Sequence, residues 1–437
     1  MEVEISTKGL KNRNIRQDKL PTNTLSSENR IQRWANFIAG FSIEFVEQCL
    51  KGRDKDLDIV IDPFLGCGTT LVAAKNQGFK GVGTEAHKLF YNLAFSKLSN
   101  FSPKDLDKII DLLNIKTEKI IWSDSAQKYI DKMFLKSEQE KIRFASYQLN
   151  NLDDRLKPLG INIFLKASEF TCTAQTDGIY KAPDSKKKSI SFEDAMVKTE
   201  QIFREDIESD WYINHWQSQP ITDTFHQSCE SLEVFEDESL GVCITSPPYL
   251  NNFDYAEMTR LQLYLLGWAD SWADISEKVR NKLITNTTTA LKGKKDAQYQ
   301  NSIKSELPTA LVKKLEEIIC ELRNEREVRA GKKEYDYLVL PYYQQINSVL
   351  KELYRTLKFN GVVHWVVADA ALYGVHIKTH EHTKELMENI GFNDVEIKWM
   401  RKRGHRWILS KRDGAKEALG EYHIIGKKTK TNGNNLL

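Results

Sequence analysis

Residues 57–85 constrain the fold most. They run from Leu57-Asp58-Ile59-Val60-Ile61-Asp62 through the turn Pro63-Phe64-Leu65-Gly66-Cys67-Gly68-Thr69-Thr70 and the helical pattern Leu71-Val72-Ala73-Ala74-Lys75 to Gly81-Val82-Gly83-Thr84-Glu85. Strand, glycine turn, helix and strand make a βαβ unit, the building block of α/β sheets. Gly66 and Gly68 let the backbone turn tightly and approach a ligand, while Thr69 or Thr70 is placed to cap the helix. Glu85 closes the second strand roughly 20 residues beyond the first, where such units hold a carboxylate for ribose hydroxyls. The turn lacks the full G-x-G-x-x-G of dinucleotide sites and the G-K-[ST] of phosphate loops, so a pyrophosphate ligand is disfavoured. Two acids, Asp62 and Glu85, with no basic residue in the loop suit an adenosine carrying a small cationic group, as in S-adenosylmethionine.

A second corner lies far downstream. The apolar run Gly241-Val242-Cys243-Ile244 ends in Thr245-Ser246-Pro247-Pro248-Tyr249, a stiff turn at a strand's carboxyl end, where open α/β sheets bind ligands. Prolines donate no amide hydrogen, so the Ser246 oxygen and the carbonyls of the corner can accept both hydrogens of a planar amino group, with Tyr249 stacking on its ring. Nothing in the chain has Ser-His-Asp order, metal-ligand spacing or a base beside a nucleophile, so hydrolytic and metal-dependent chemistries lack their parts.

Around these corners, strand and helix patterns alternate and are twice interrupted. A helix over 42–50, capped by Ser42, leads into the first strand, and long polar helical segments fill 101–220. In that stretch Ala174 to Pro183 reads as a turn-rich loop before Lys186-Lys187-Lys188. Strand patterns return at Ile221 to Gln227 and at the Ser-Pro-Pro-Tyr corner, and a second charged helical stretch covers 269–334, with Lys292-Gly293-Lys294-Lys295 inside it. Tyr335 to Leu357 reads as a helix stopped by Asn360-Gly361, followed by a buried strand to Asp369, a helix over Thr379 to Ile390, and strands at Val395 to Met400 and Tyr422 to Gly426. The expected architecture is α/β, a doubly wound Rossmann-like seven-stranded sheet with two mainly helical insertions. Its parts are a flexible arm (1–29), a cofactor-binding half (30–100), a first insertion (101–220), a catalytic half (221–268), a second insertion (269–334), a C-terminal core (335–428) and a tail (429–437).

Charge adds a limit. Lys+Arg 63 against Asp+Glu 61 leaves a net charge of +2, so any polyanion-binding surface must come from local clusters such as Arg401 to Arg412, where basic residues surround Trp407. Six cysteines without a CxxC pair suggest neither disulfides nor zinc, and fit a reducing cytoplasm. No apolar run reaches a membrane span and the polar start lacks a signal-peptide core, so a membrane or secreted protein is not expected.

The two corners together resemble the S-adenosylmethionine-dependent DNA amino-methyltransferases, which methylate cytosine N4 or adenine N6. Asp62 to Thr70 is similar to their glycine motif and Thr245 to Tyr249 to their catalytic motif. Phe41 to Leu50, Leu357 to Gly361 and Glu421 to Ile425 are further matches. The resemblance implies S-adenosylmethionine as cofactor, held by Asp62, Pro63, Phe64, Gly66, Gly68, Thr69 and Glu85, with Ser246, Pro247, Pro248 and Tyr249 on the target base. Where the family commonly carries an acid after its third strand, touching the cofactor's adenine, this chain has Ser228-Cys229, which leaves Ser228 as a weaker substitute. Double-stranded DNA is the implied partner, in a restriction-modification or related defence setting with a cognate restriction endonuclease. Ser at position 246 leans toward cytosine N4, and the motif order makes 101–220 the first choice for reading sequence, with 269–334 second. The implied chemistry is transfer of a methyl group to the exocyclic amino group of a base flipped out of the duplex.

Overall fold

The computed structural model describes residues 29–35, 40–177, 180–403 and 419–429. The arm expected over 1–29 therefore lies almost wholly outside the described residues, as do most of the 429–437 tail and 404–412 of the basic stretch.

Ser42 accepts the Phe45 amide and opens α1 (Ile43–Leu50), after which come β1 (Val60–Asp62), α2 (Thr69–Asn76), β2 (Gly81–Thr84) and α3 (Lys88–Leu98). The first insertion holds α4 (Pro103–Leu113), α5 (Asp124–Ile130), α6 (Lys136–Gln148), α7 (Lys157–Thr171), the hairpin β3 (Ala174–Asp177) and β4 (Tyr180–Lys186), α8 (Phe192–Ile207) and α9 (Asp210–Asn214). β5 (Asp223–Phe225) and β6 (Leu240–Thr245) return the chain to the sheet, and α10 (Tyr255–Met258) and α11 (Arg260–Leu265) follow. The second insertion contributes α12 (Trp272–Lys278), α13 (Ala297–Lys304) and α14 (Thr309–Val328). The C-terminal part is α15 (Val339–Thr356), β7 (Leu357–Ala368), the hairpin β8 (Ala370–Leu372) and β9 (Val375–Ile377), α16 (Thr379–Ile390), β10 (Asn393–Lys402) and β11 (Gly420–Lys427).

Seven strands form one sheet in the order β10-β11-β7-β6-β1-β2-β5. β5, β2, β1, β6 and β7 pair in parallel, while β11 runs antiparallel between β7 and β10. From β1 the chain works outward to β5, then restarts at β6 beside β1 and works out the other way. The order therefore reverses between β1 and β6, and the crevice at the carboxyl ends of those two strands is where doubly wound sheets bind ligands. Side chains alternate across the sheet: Val60, Val242 and Ile244 join one core, Ile61 and Cys243 the other. Strands buried on both faces need apolar residues throughout, which is why β1 and β6 read as continuous apolar runs. The first insertion packs on the face of α1 to α3, and the second, from Ile284 onward, on the face of α15 and α16. Among the described residues no helix is long and apolar enough to cross a membrane.

Several local expectations need correction. Ala174 to Pro183 is not a loop but most of the β3–β4 hairpin; Lys181 and Lys187 both pair with Glu169 of α7, which holds it down. Asn360-Gly361 does not stop α15, which ends at Thr356 because Leu357 already pairs with Leu240 of β6. Asn360 instead takes φ 64° inside β7, where the register to β6 shifts. Neither Thr69 nor Thr70 caps α2: the cap position is Gly68 at φ 83°, and the Thr70 hydroxyl donates to the Ile244 carbonyl.

The segment before α1 is clamped to the first insertion. Asp206 of α8, fully buried, accepts from the Ile31 amide at 2.9 Å, Trp34 Nε1 at 2.8 Å and Arg33 Nη2 at 2.7 Å. Trp34 stacks on Phe203 at 4.7 Å, and buried Lys97 of α3 donates to Gln32 Oε1 at 2.9 Å.

Candidate active site

Because β1 and β6 are neighbours, the two sequence corners emerge side by side. Thr245 at the end of β6 donates its hydroxyl to Asp62 Oδ1 at the end of β1, at 2.6 Å, and the same oxygen accepts the Phe64 amide at 3.1 Å. That shared carboxylate locks the glycine turn to the Ser-Pro-Pro-Tyr corner. Gly68 needs its positive φ to turn the chain into α2, and a Cβ there would lie 3.2 Å from that of Ala94 on α3. Glu85 closes the turn from the other side: one oxygen accepts the Gly66 amide and the other the His87 amide, each at 2.7 Å.

These groups wall a pocket of ≈ 850 Å³, its mouth included. Asp62, Pro63, Phe64, Gly66, Thr69 and Glu85 line it, and so do Ser228, Ser246 and Pro248. Gly68, Pro247 and Tyr249 do not line it. Burial pushes the Asp62 carboxyl up to about 6 despite hydrogen bonds from Thr245 and the Phe64 amide. Burial likewise pushes Glu85 up to about 7, against the pull of the backbone amides and helped by the nearby Asp62 charge. The site thus holds two carboxyl groups that a cationic ligand would ionise.

Tyr249 donates its hydroxyl to Glu421 Oε1 at 3.0 Å, and Ser246 Oγ lies 3.5 Å from the same tyrosine oxygen. Glu421, on β11, is held by Arg401 of β10 at 2.6 and 3.2 Å. Arg403 sits 5.5 Å over the Tyr249 ring. With the tyrosine proton committed to Glu421, the Ser246 proton turns toward the tyrosine oxygen, which leaves the serine lone pairs to accept. The corner carbonyls are not equally free: Pro248 O accepts Tyr342 Oη at 3.1 Å and Tyr249 O accepts Asn286 Nδ2 at 3.3 Å, whereas Pro247 O has no such donor among the described residues.

Sequence reasoning missed much of the wall. Phe41, before α1, and Phe90, Tyr255 and His87 line the pocket, and so do Lys282, Leu283 and Ile284 of the second insertion. His87 is a neutral imidazole, its pKa pushed down to about 3 by burial. Its Nδ1 accepts the Leu89 amide, and Nε2 faces Thr259 Oγ1 at 2.8 Å, which ties the start of α3 to the junction of α10 and α11. The acid two places after Ser228, Glu230, offers no replacement for the missing contact, because it turns away to Gln345 of α15 at 2.8 Å. Both insertions also meet beside the catalytic corner at Asp254: Tyr180 Oη of β4 accepts the Asp254 amide at 2.9 Å, and buried Arg280 pairs with its carboxylate at 3.0 Å.

A seven-stranded sheet of this order, carrying a glycine turn and an acid at its switch point, has the Rossmann-like methyltransferase fold. Residues 2–96 match the family model described as DNA methylase, of the N6 and N4 amino-methyltransferases. Over 84% of its length the chain is 23% identical to the type II methyltransferase M.AvaI of Nostoc sp., covering 80% of that protein. It is also 23% identical to M.BsoBI of Geobacillus stearothermophilus, over 88% of this chain and 83% of that protein, and to M.MvaI of Kocuria varians, over 84% and 83%. These similarities support the N4/N6 DNA amino-methyltransferase family for this chain, a family that implies S-adenosylmethionine as methyl donor and DNA as substrate.

Proposed function

We propose that the chain methylates the exocyclic N4 of cytosine in duplex DNA, as the modification enzyme of a restriction-modification system. The observation that carries the reading is the Asp62–Thr245 bond, which fastens a turn shaped for an adenosine ligand to an acceptor-rich corner shaped for an amino group. The residues fit the cofactor: two buried carboxyl groups and apolar Phe41, Phe64 and Phe90 suit a cationic, partly aromatic ligand, and the loop has no phosphate-binding lysine. Glu85 would hold the ribose hydroxyls through its remaining lone pairs, Asp62 and the 63–69 turn would hold the methionine part, and Ser228 with Leu283 and Ile284 would flank the adenine. When bound, S-adenosylmethionine supplies a methyl group activated by its sulfonium.

The chain's own residues prepare the acceptor. Ser246 Oγ and the Pro247 carbonyl accept the two amino hydrogens, which favours a tetrahedral nitrogen with its lone pair restored and aimed at the cofactor side. Tyr249 stacks on the flipped base and offsets the few kcal/mol that flipping costs. Serine at 246 favours cytosine N4, since the adenine-N6 members of the family more often carry Asp or Asn there. Residues 101–220 are proposed to read sequence, because their β3–β4 hairpin touches the catalytic loop through Tyr180 and Asp254. Lys282, Leu283 and Ile284 of the second insertion line the pocket instead.

The test is incubation with DNA and methyl-labelled S-adenosylmethionine, followed by digestion to nucleosides. Label in N4-methylcytosine is the expected result, label in N6-methyladenine would reassign the base, and DNA left without label would overturn the reading.

The two carboxyl groups also set a pH dependence. Burial raises both, so in the ligand-free chain their stabilising contribution is full below the ordinary values of 3.8 and 4.5 and is lost as pH rises through about 6 and about 7. A cationic cofactor reverses the preference. Its affinity is expected to fall below about pH 7, by about tenfold per unit for each carboxylate that must ionise. Calorimetric titration across this range checks it, with Glu85→Gln removing the upper part of the dependence.

A further inference from the structure

Away from the pocket, on the sheet face covered by α1, three metal-ligating side chains converge from three elements. Cys49 comes from α1, His364 from β7 and His423 from β11, and one donor atom from each lies within 4.8 Å of the other two. His364 Nδ1 and His423 Nε2 are 3.0 Å apart. Strand pairing explains the convergence: His423 is registered with Val366, two residues from His364 on the same face, so both imidazoles point at α1. Phe45, one turn before Cys49, packs edge-on against the His423 ring at 5.1 Å and holds the helix over it. Among the described residues this is the one such group of three.

We propose that Cys49, His364 and His423 bind a single zinc-class divalent ion that staples α1 to β7 and β11. A thiolate with two imidazoles is the donor set of a borderline-soft, tetrahedral cation, and three protein ligands leave its fourth position to solvent. Donor separations under 4.8 Å are within reach of one ion at ordinary zinc–nitrogen and zinc–sulfur bond lengths after small side-chain rotations. Coordination forms the metal–sulfur bond as the Cys49 proton leaves to water. The Lys398 ammonium, on the neighbouring strand, is paired with Glu396 at 3.2 Å and half-exposed, so it can turn outward as the ion enters. The helix so fastened is the one that follows Gly40 and Phe41 of the cofactor pocket. The ion therefore supports the pocket without entering it.

The test uses the full chain freed of metal by a chelator and titrated with Co²⁺ as the spectroscopic probe. One equivalent is expected to give tetrahedral d–d bands and a thiolate-to-cobalt charge-transfer band, to be displaced by Zn²⁺, and to raise the unfolding temperature. Cys49→Ser should abolish the charge-transfer band, and His423→Gln should weaken binding at least tenfold. Circular dichroism of each metal-free variant checks that it is folded, and the near-isosteric serine keeps the test decisive if the histidine variant is not. Absence of stoichiometric binding in the wild type, or a charge-transfer band that survives Cys49→Ser, would overturn the proposal.

Discussion

Ser246→Ala is expected to slow methyl transfer to DNA about a hundredfold, with S-adenosylmethionine affinity little changed. The magnitude is that of losing one preorganised polar partner at a reacting centre. The asymmetry follows from geometry: the Ser246 proton faces the Tyr249 oxygen at 3.5 Å, so its lone pairs remain for the incoming amino group. Asp62 and Glu85, the acids proposed for the cofactor, stand at the ends of β1 and β2 and make no hydrogen bond with the Ser246 hydroxyl. Tyr249→Ala is expected to cost a similar factor by a different route, through loss of stacking on the flipped base, and should appear mainly in KM for DNA. Tyr249→Phe separates the two effects: it keeps the ring and removes the oxygen that links Ser246 to Glu421. Single-turnover transfer from labelled cofactor, with cofactor binding measured separately, is the assay. Wild-type rates in both alanine variants would remove the corner from the mechanism.

The second large effect is on stability. Asp206→Ala is expected to cost about 3–5 kcal/mol, the range for removing one partner of a buried charged cluster. Asp206 is fully buried and satisfies the Ile31 amide, the Trp34 indole and the Arg33 guanidinium together. Ile31 itself sits at φ 67°, an uncommon conformation for a β-branched residue, which the Asp206 bond helps to hold. Asp206→Asn keeps an acceptor oxygen and should lose less. Urea unfolding followed by fluorescence reads the difference. A change under about 1 kcal/mol for the alanine variant would show that Trp34 stacking on Phe203 holds the segment without the carboxylate.

Much of the core was legible because its signals are local. β1, the glycine turn, α2 and β2 follow one another, and the strand order makes each a neighbour of the next. Gly66 and Gly68 both take positive φ, a local backbone demand that favours glycine. Helix and strand ends failed where a distant partner decided them. Thr70 was placed to cap α2, but its hydroxyl had a buried carbonyl on β6 to satisfy. Asn360-Gly361 resembles a helix stop, yet pairing of Leu357 with Leu240 begins the strand before it. The loop expected at Ala174 to Pro183 became a hairpin because Glu169, on the preceding helix, anchors Lys181 and Lys187.

By itself, then, the sequence determined the class of sheet and the identity of both corners, since each is a short run of residues whose backbone chemistry is complete in place. Only the tertiary structure decided that Asp62 accepts from Thr245, that Glu421 takes the Tyr249 hydroxyl and that Ile284 lines the pocket. Tertiary structure alone also brings Cys49, His364 and His423 together. Strand order and register set these contacts between residues remote in the chain, and no spacing pattern encodes them.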